Sequence, residues 1–167
     1  MKEERRLSLA EELGMLIDRM KEVEKEDFIQ SYMFLIRKEG LEEVEEELHW
    51  EVTSTAVASA EISILIDYLL DLNLLEYSSN PGYVLTEEGR RILLEDIPTD
   101  LRDTYSACYE KVAALGNNEK ITRKARTELL NEKLGKKLSK KGHKCANYYN
   151  TLKPQLLVGI PKEDRKS

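Results

Sequence analysis

The residues of this chain best equipped for chemistry are cations. Between positions 120 and 144 stand Lys120, Arg123, Lys124, Arg126, Lys133, Lys136, Lys137, Lys140, Lys141 and Lys144, opposed only by Glu128 and Glu132. Such a density suits contact with phosphate oxygens, with an acidic protein surface, or with the chain's own carboxylates. Coiled into a helix, Lys133, Lys137, Lys140, Lys141 and Lys144 share one face, and Leu130, Leu134 and Leu138 form a neighbouring stripe. Tyr148 and Tyr149 follow, fit either to stack on a base or to fill a core. A softer set consists of small polar side chains: Ser54, Thr55, Ser59 and Ser63, with Ser79 and Asn80 further on. Hydroxyls and amides bond to phosphates or base edges, but Ser and Thr discriminate poorly between base pairs.

Groups for catalysis or metal binding are sparse. The sequence has no Gly-rich phosphate loop, no His-Glu zinc pattern and no nucleophile elbow. Its abundant carboxylates crowd solvent-facing helical positions, where general acid-base work finds no shielded site. His49 beside Trp50 reads as structural. The two cysteines, Cys108 and Cys145, form no CxxC pair. His143 with Cys145 supplies two ligands where zinc usually needs four. Neither an enzyme nor a metal or cofactor is expected.

The elements that would position these groups follow from hydrophobic spacing. Leu9, Leu13, Leu16, Met20 and Val23 recur at intervals of four and three, predicting a helix over 7–25 that packs on the domain or on a second subunit. Asp27 stands as an N-cap for a helix over 27–39, with Phe28, Ile29, Tyr32, Leu35 and Ile36 inward and Gly40 as its stop. A short helix over 41–50 would place Leu41, Val44 and Leu48 inward and five glutamates outward. A third helix over 55–73, capped by Thr53, Ser54 or Thr55, would turn Val57, Ala60, Ile64, Leu65, Tyr68 and Leu72 to the core. Ile62, Ile66, Leu69 and Leu70 widen its apolar surface, and helices 7–25 and 101–116 are expected to cover it.

Strands over 74–78 and 83–86 flank Asn80-Pro81-Gly82, a predicted type II turn, and Thr86 caps the helix beyond. Leu101, Tyr105, Cys108, Val112 and Leu115 predict a helix over 101–116, ending at Gly116-Asn117-Asn118. Three parts result: an N-terminal helix over 1–26 as a possible dimer contact, a domain over 27–100, and a helical basic extension over 101–167.

Charge divides the chain sharply. Residues 1–100 carry 10 Lys+Arg against 25 Asp+Glu, a net of −15, and residues 101–167 carry 16 against 7, a net of +9. Nothing resembles a signal peptide or a bilayer-spanning run, so a cytoplasmic protein is expected.

Helix 27–39, helix 41–50, helix 55–73, then strand, turn and strand is the order of a winged helix-turn-helix. The segment LIDYLLDLNLLEYSSNPGYVLTEEGRRIL resembles the corresponding part of MarR-like and PadR-like transcriptional regulators, with Leu74, Leu75, Glu76, Tyr83, Leu85, Thr86 and Gly89 in the matching places. The resemblance covers about residues 27–95. It implies a mainly α (α+β) fold with a small hairpin wing, flanked by helices and a basic C-terminal arm. It also implies a homodimer bound to double-stranded DNA, with helix 55–73 in the major groove. Yet that helix has no Lys or Arg and carries Glu61, Asp67 and Asp71. Two functions stay open: a DNA-binding regulator that grips phosphates through its basic arm, and an acidic adaptor that binds protein without reading DNA.

Overall fold

A computed structural model describes residues 5–140, with side chains as far as Lys137. The chain is mainly helical, with two small antiparallel hairpins. By contacts it divides into two units, 1–129 and 130–167. The description below concerns the first, apart from the last turns of the final helix.

Helix α1, Leu9–Met20, opens on a capping box: Ser8 Oγ accepts from Glu11 N at 3.1 Å, and Glu11 Oε1 accepts from Ser8 N at 3.1 Å. Leu9, Leu13 and Leu16 are buried, as their spacing predicts. They are covered within one chain. Val23 lies beyond the helix and bridges antiparallel to Tyr83, through Val23 N to Tyr83 O at 3.0 Å and Tyr83 N to Val23 O at 2.7 Å.

Helix α2, Glu26–Lys38, begins one residue ahead of the expected cap. Lys25 takes the N-cap position without a side-chain bond, and Asp27 sits in the first turn. Every residue from Phe28 to Ile36 is buried, so α2 is wrapped on all sides.

The helix expected over 41–50 is absent. That segment is extended and lies beside Leu7, with Leu7 N donating to Glu43 O at 2.7 Å and Glu45 N to Leu7 O at 2.9 Å. Five glutamates within so few turns repel one another in a helix, whereas an extended chain separates them and still buries Leu41. The VTSTAV segment, β-branched and hydroxylated, makes a tight hairpin instead of a helix start. Strands β1, Glu51–Val52, and β2, Val57–Ala58, pair Glu51 with Ala58 and Val52 with Val57. Thr53 Oγ1 holds the turn by accepting from Ala56 N at 2.8 Å.

Helix α3, Ala60–Asp71, is therefore shorter than expected, and Ser59 occupies its N-cap position without a side-chain cap bond. Buried Gln30 of α2 clamps this start: Ser59 N donates to Gln30 Oε1 at 2.9 Å, and Gln30 Nε2 donates to Ser59 O at 3.2 Å. The buried face of α3 is Ile62, Ile66 and Leu69. Ala60, Ile64, Tyr68 and Leu72, expected inward, are exposed.

Strands β3, Leu75–Tyr77, and β4, Tyr83–Leu85, pair Leu75 with Leu85 and Tyr77 with Tyr83. In place of a type II turn, a five-residue loop closes between Ser78 N and Gly82 O at 3.2 Å, with a cis Asn80–Pro81 peptide. Gly82 is required twice over: its φ is +128°, and a Cβ would meet Val23 O at 2.2 Å. Helix α4, Glu87–Leu94, is capped by Thr86 Oγ1, which accepts from Gly89 N at 2.8 Å. Gly89 lets α4 press on the strand, since a Cβ there would lie 1.9 Å from Leu74 O.

Helix α5, Thr99–Ala113, buries Leu101, Tyr105, Cys108 and Val112 as their spacing predicts. Helix α6, Asn118–Lys140, buries Ile121, Ala125 and Leu129 along its first half. Among the described residues, the core contains one complete ion pair. Glu12 is fully buried and receives Arg37 Nε at 2.9 Å and Nη2 at 2.6 Å, while Arg37 Nη1 donates to Glu46 O at 2.6 Å. One guanidinium thus ties α1, α2 and the extended segment together. Among the described residues, no helix is long and apolar enough to cross a membrane.

Candidate interaction face

The buried and exposed residues of α3 fall on opposite sides of its cylinder. Ile62, Ile66 and Leu69 follow a helical repeat into the core. Ile64, Tyr68 and Leu72 repeat every fourth residue outward, 68%, 59% and 48% exposed. Asp67 and Asp71 run along one edge of this outer stripe, both exposed. Past the other edge lies a groove of about 450 Å³ between α3 and the start of α1, lined by Leu9, Ala10, Leu65 and Tyr68, with Glu46 and Glu61 at its rim.

The electrostatics of the surrounding chain are one-sided. From Glu39 to Gly89 there are thirteen carboxylates and not one lysine or arginine. Neither Asp67 nor Asp71 has a hydrogen-bond or ion-pair partner among the described residues. Glu61 is partly satisfied: it accepts from Ser59 Oγ at 2.5 Å and pairs with His49 Nδ1 at 2.8 Å. Hydrogen bonds from Ser59, then from His49, push its carboxyl down to about 2. In return, the bond to Glu61 raises His49 above its ordinary value. His49 thus has a local charge partner.

The small polar residues picked out in the sequence do not gather on the exposed face of α3. Ser54 and Thr55 lie in the β1–β2 turn, where Thr55 Oγ1 donates to Asp27 Oδ2 at 3.1 Å. Ser59 is fully buried and cannot reach a ligand. Ser63 Oγ donates to Glu26 Oε2 and accepts from Gln30 Nε2 at 3.1 Å, so its hydroxyl is engaged with α2. Ser79 and Asn80 are exposed in the β3–β4 loop.

The cations divide into committed and exposed groups. Arg126 donates from Nε to Thr53 O at 2.7 Å, fastening α6 to the β1–β2 turn. Lys124 pairs with Glu128 at 2.9 Å, a half-exposed contact worth at most ~0.5 kcal/mol. Lys120, Arg123, Lys133, Lys136 and Lys137 are exposed along α6, as are Leu130 and Leu134. Lys140 ends the helix, and Lys141 and Lys144 lie outside the described residues, as do His143, Cys145, Tyr148 and Tyr149. Among the described residues, no group of three or more His, Cys, Asp and Glu side chains could hold a metal ion.

No family model, curated protein or solved structure matches this chain. Chemistry on the surface therefore carries the functional reading. Sequence reasoning placed Ile64, Tyr68 and Leu72 in the core, although the cation-free stretch around them was visible beforehand. An apolar helix set among unpaired carboxylates is the signal that could have marked this face.

Proposed function

We propose that this chain is a winged-helix protein-interaction module that docks a protein partner on the outer face of α3. Element order supports the winged-helix part of the reading, with a shift of one helix. Helix α1, the Val23 bridge, α2, α3 and the β3–β4 hairpin follow the succession of helix, short strand, two helices and wing. Residues 39–59 stand where a helix-turn-helix has a turn of three or four residues, so α2 and α3 are not joined as a compact reading head.

One observation carries the choice of partner. The helix that would enter a major groove presents Ile64, Tyr68 and Leu72 beside Asp67 and Asp71, and no cation. Affinity for DNA begins with lysine and arginine contacts to phosphate, and two carboxylates facing a polyanion oppose them. A contiguous apolar patch with a polar rim is instead the anatomy of a protein interface.

A second reading rests on a different surface. Lys133, Lys136 and Lys137 are exposed on α6 and suit phosphate contacts independent of α3. Titrating a random-sequence duplex at low salt separates the two readings. Any duplex binding should survive Ile64→Ser with Tyr68→Ser and disappear when Lys133, Lys136 and Lys137 are changed to Glu. Binding that depends on Ile64 and Tyr68 would overturn the proposal. Absence of binding would leave the adaptor and remove the DNA-gripping arm.

A further inference from the structure

We infer that the partner seated on α3 is an amphipathic helix of another protein, with lysine or arginine flanking its apolar stripe on both sides. The inference rests on the docking role of α3 and adds the chemistry of the occupant. Ile64, Tyr68 and Leu72 form a ridge spaced every fourth residue, the pattern that packs into the grooves of a second helix. At 1.5 Å per residue this ridge extends about 12 Å, matching two to three turns of a partner. The groove toward α1 accepts an apolar side chain over Leu9, Ala10 and Leu65.

Charge fixes the flanks. Asp67 and Asp71 border the ridge on one side, and Glu46 and Glu61 stand at the groove rim on the other. A cation on each side of the partner's stripe therefore meets a carboxylate. The same charges oppose symmetric pairing of α3 with a second copy, which would bring acidic edges together. Among the described residues, Asp67 and Asp71 have no hydrogen-bond or ion-pair partner, so a basic partner meets unpaired carboxylates there.

Fluorescence anisotropy with three synthetic peptides tests the inference on the full chain. The first eighteen-residue probe has leucines along one helical face and lysines on both flanks. The second replaces lysine with glutamate, and the third keeps lysine but replaces leucine with serine. The first should bind, with the other two at least ~10-fold weaker, one decade in affinity being about 1.4 kcal/mol. Tyr68→Ala should weaken the first peptide ~10-fold, within the range seen for central aromatic contacts. Asp67→Lys with Asp71→Lys should shift preference toward the glutamate peptide.

Equal binding of the serine peptide would reduce the effect to bulk charge and overturn the inference, as would failure of all three peptides. If the glutamate peptide binds best and Tyr68→Ala still abolishes it, α3 docks protein but not a basic helix. The inference then falls while the adaptor reading survives. Sedimentation at the same concentrations reads the remaining occupant: self-association lost on Tyr68→Ala would assign the face to a second copy and overturn the inference.

Discussion

Helices α2 and α3 both carry apolar residues around much of their circumference, and they meet opposite fates. Nine consecutive residues of α2, Phe28 to Ile36, are buried. In α3 only Ile62, Ile66 and Leu69 are buried, and Ile64 is 68% exposed. Composition does not separate the two cases, because apolar girth records what a helix is able to bury. Neighbours determine what it does bury: α2 packs against α1, α5 and the β1–β2 hairpin, while α3 packs chiefly against β3 and leaves Ile64, Tyr68 and Leu72 exposed. The apolar residues left over on α3 are the ones available to a partner.

Substitutions can sharpen or break this contrast. The largest effect should come from Arg37→Leu, which strands Glu12 as a buried, uncompensated carboxylate and should cost about 3–5 kcal/mol in chemical denaturation. Burial already raises the Glu12 carboxyl above its ordinary value. A folded state that prefers the protonated acid loses stability as pH climbs through the raised value. The Arg37→Leu deficit should therefore shrink at pH 4 relative to pH 7. An equal deficit at both would show that the cost does not come from the stranded Glu12 carboxyl.

Next comes Ile66→Ala on the inner side of α3, expected to cost about 2–4 kcal/mol through lost burial and a cavity. Its outer counterpart, Ile64→Ala, should change stability by no more than ~0.5 kcal/mol. Similar losses at the two positions, measured by urea unfolding, would break the inside-outside assignment.

Tyr105→Phe sets a finer test. The Tyr105 hydroxyl is buried and has no hydrogen-bond partner among the described residues. Removing it should be neutral or stabilising by up to ~1 kcal/mol, whereas a satisfied buried hydroxyl would be costly to lose. The smallest effect concerns the exposed His49–Glu61 pair. Raised His49 contributes fully below its ordinary 6.5, and lowered Glu61 contributes fully above its ordinary 4.5, so the pair is strongest between those values. Proton NMR should show the His49 titration falling toward the ordinary value in Glu61→Gln. An unmoved titration would assign the shift to another cause.

Legibility in the sequence followed how local the determining forces were. The Thr86 cap and the β3–β4 pairing depend on neighbours a few residues away, and the regular spacing of Leu9, Leu13 and Leu16 marks the inward face of α1 whatever covers it. The helix over 41–50 failed because its extended alternative depends on Leu7, more than thirty positions earlier. The start of α3 was misplaced for a similar reason, since Gln30 holds Ser59 from another helix. The same dependence inverted α3. Its two apolar sides are nearly equivalent by spacing, so tertiary packing had to choose between them.

Placing a benzophenone side chain at position 68 and irradiating in the native host tests the central claim most directly. The account expects a covalent adduct to a protein, lost when Ile64 is also changed to Asp. A nucleic-acid adduct at that position would contradict it.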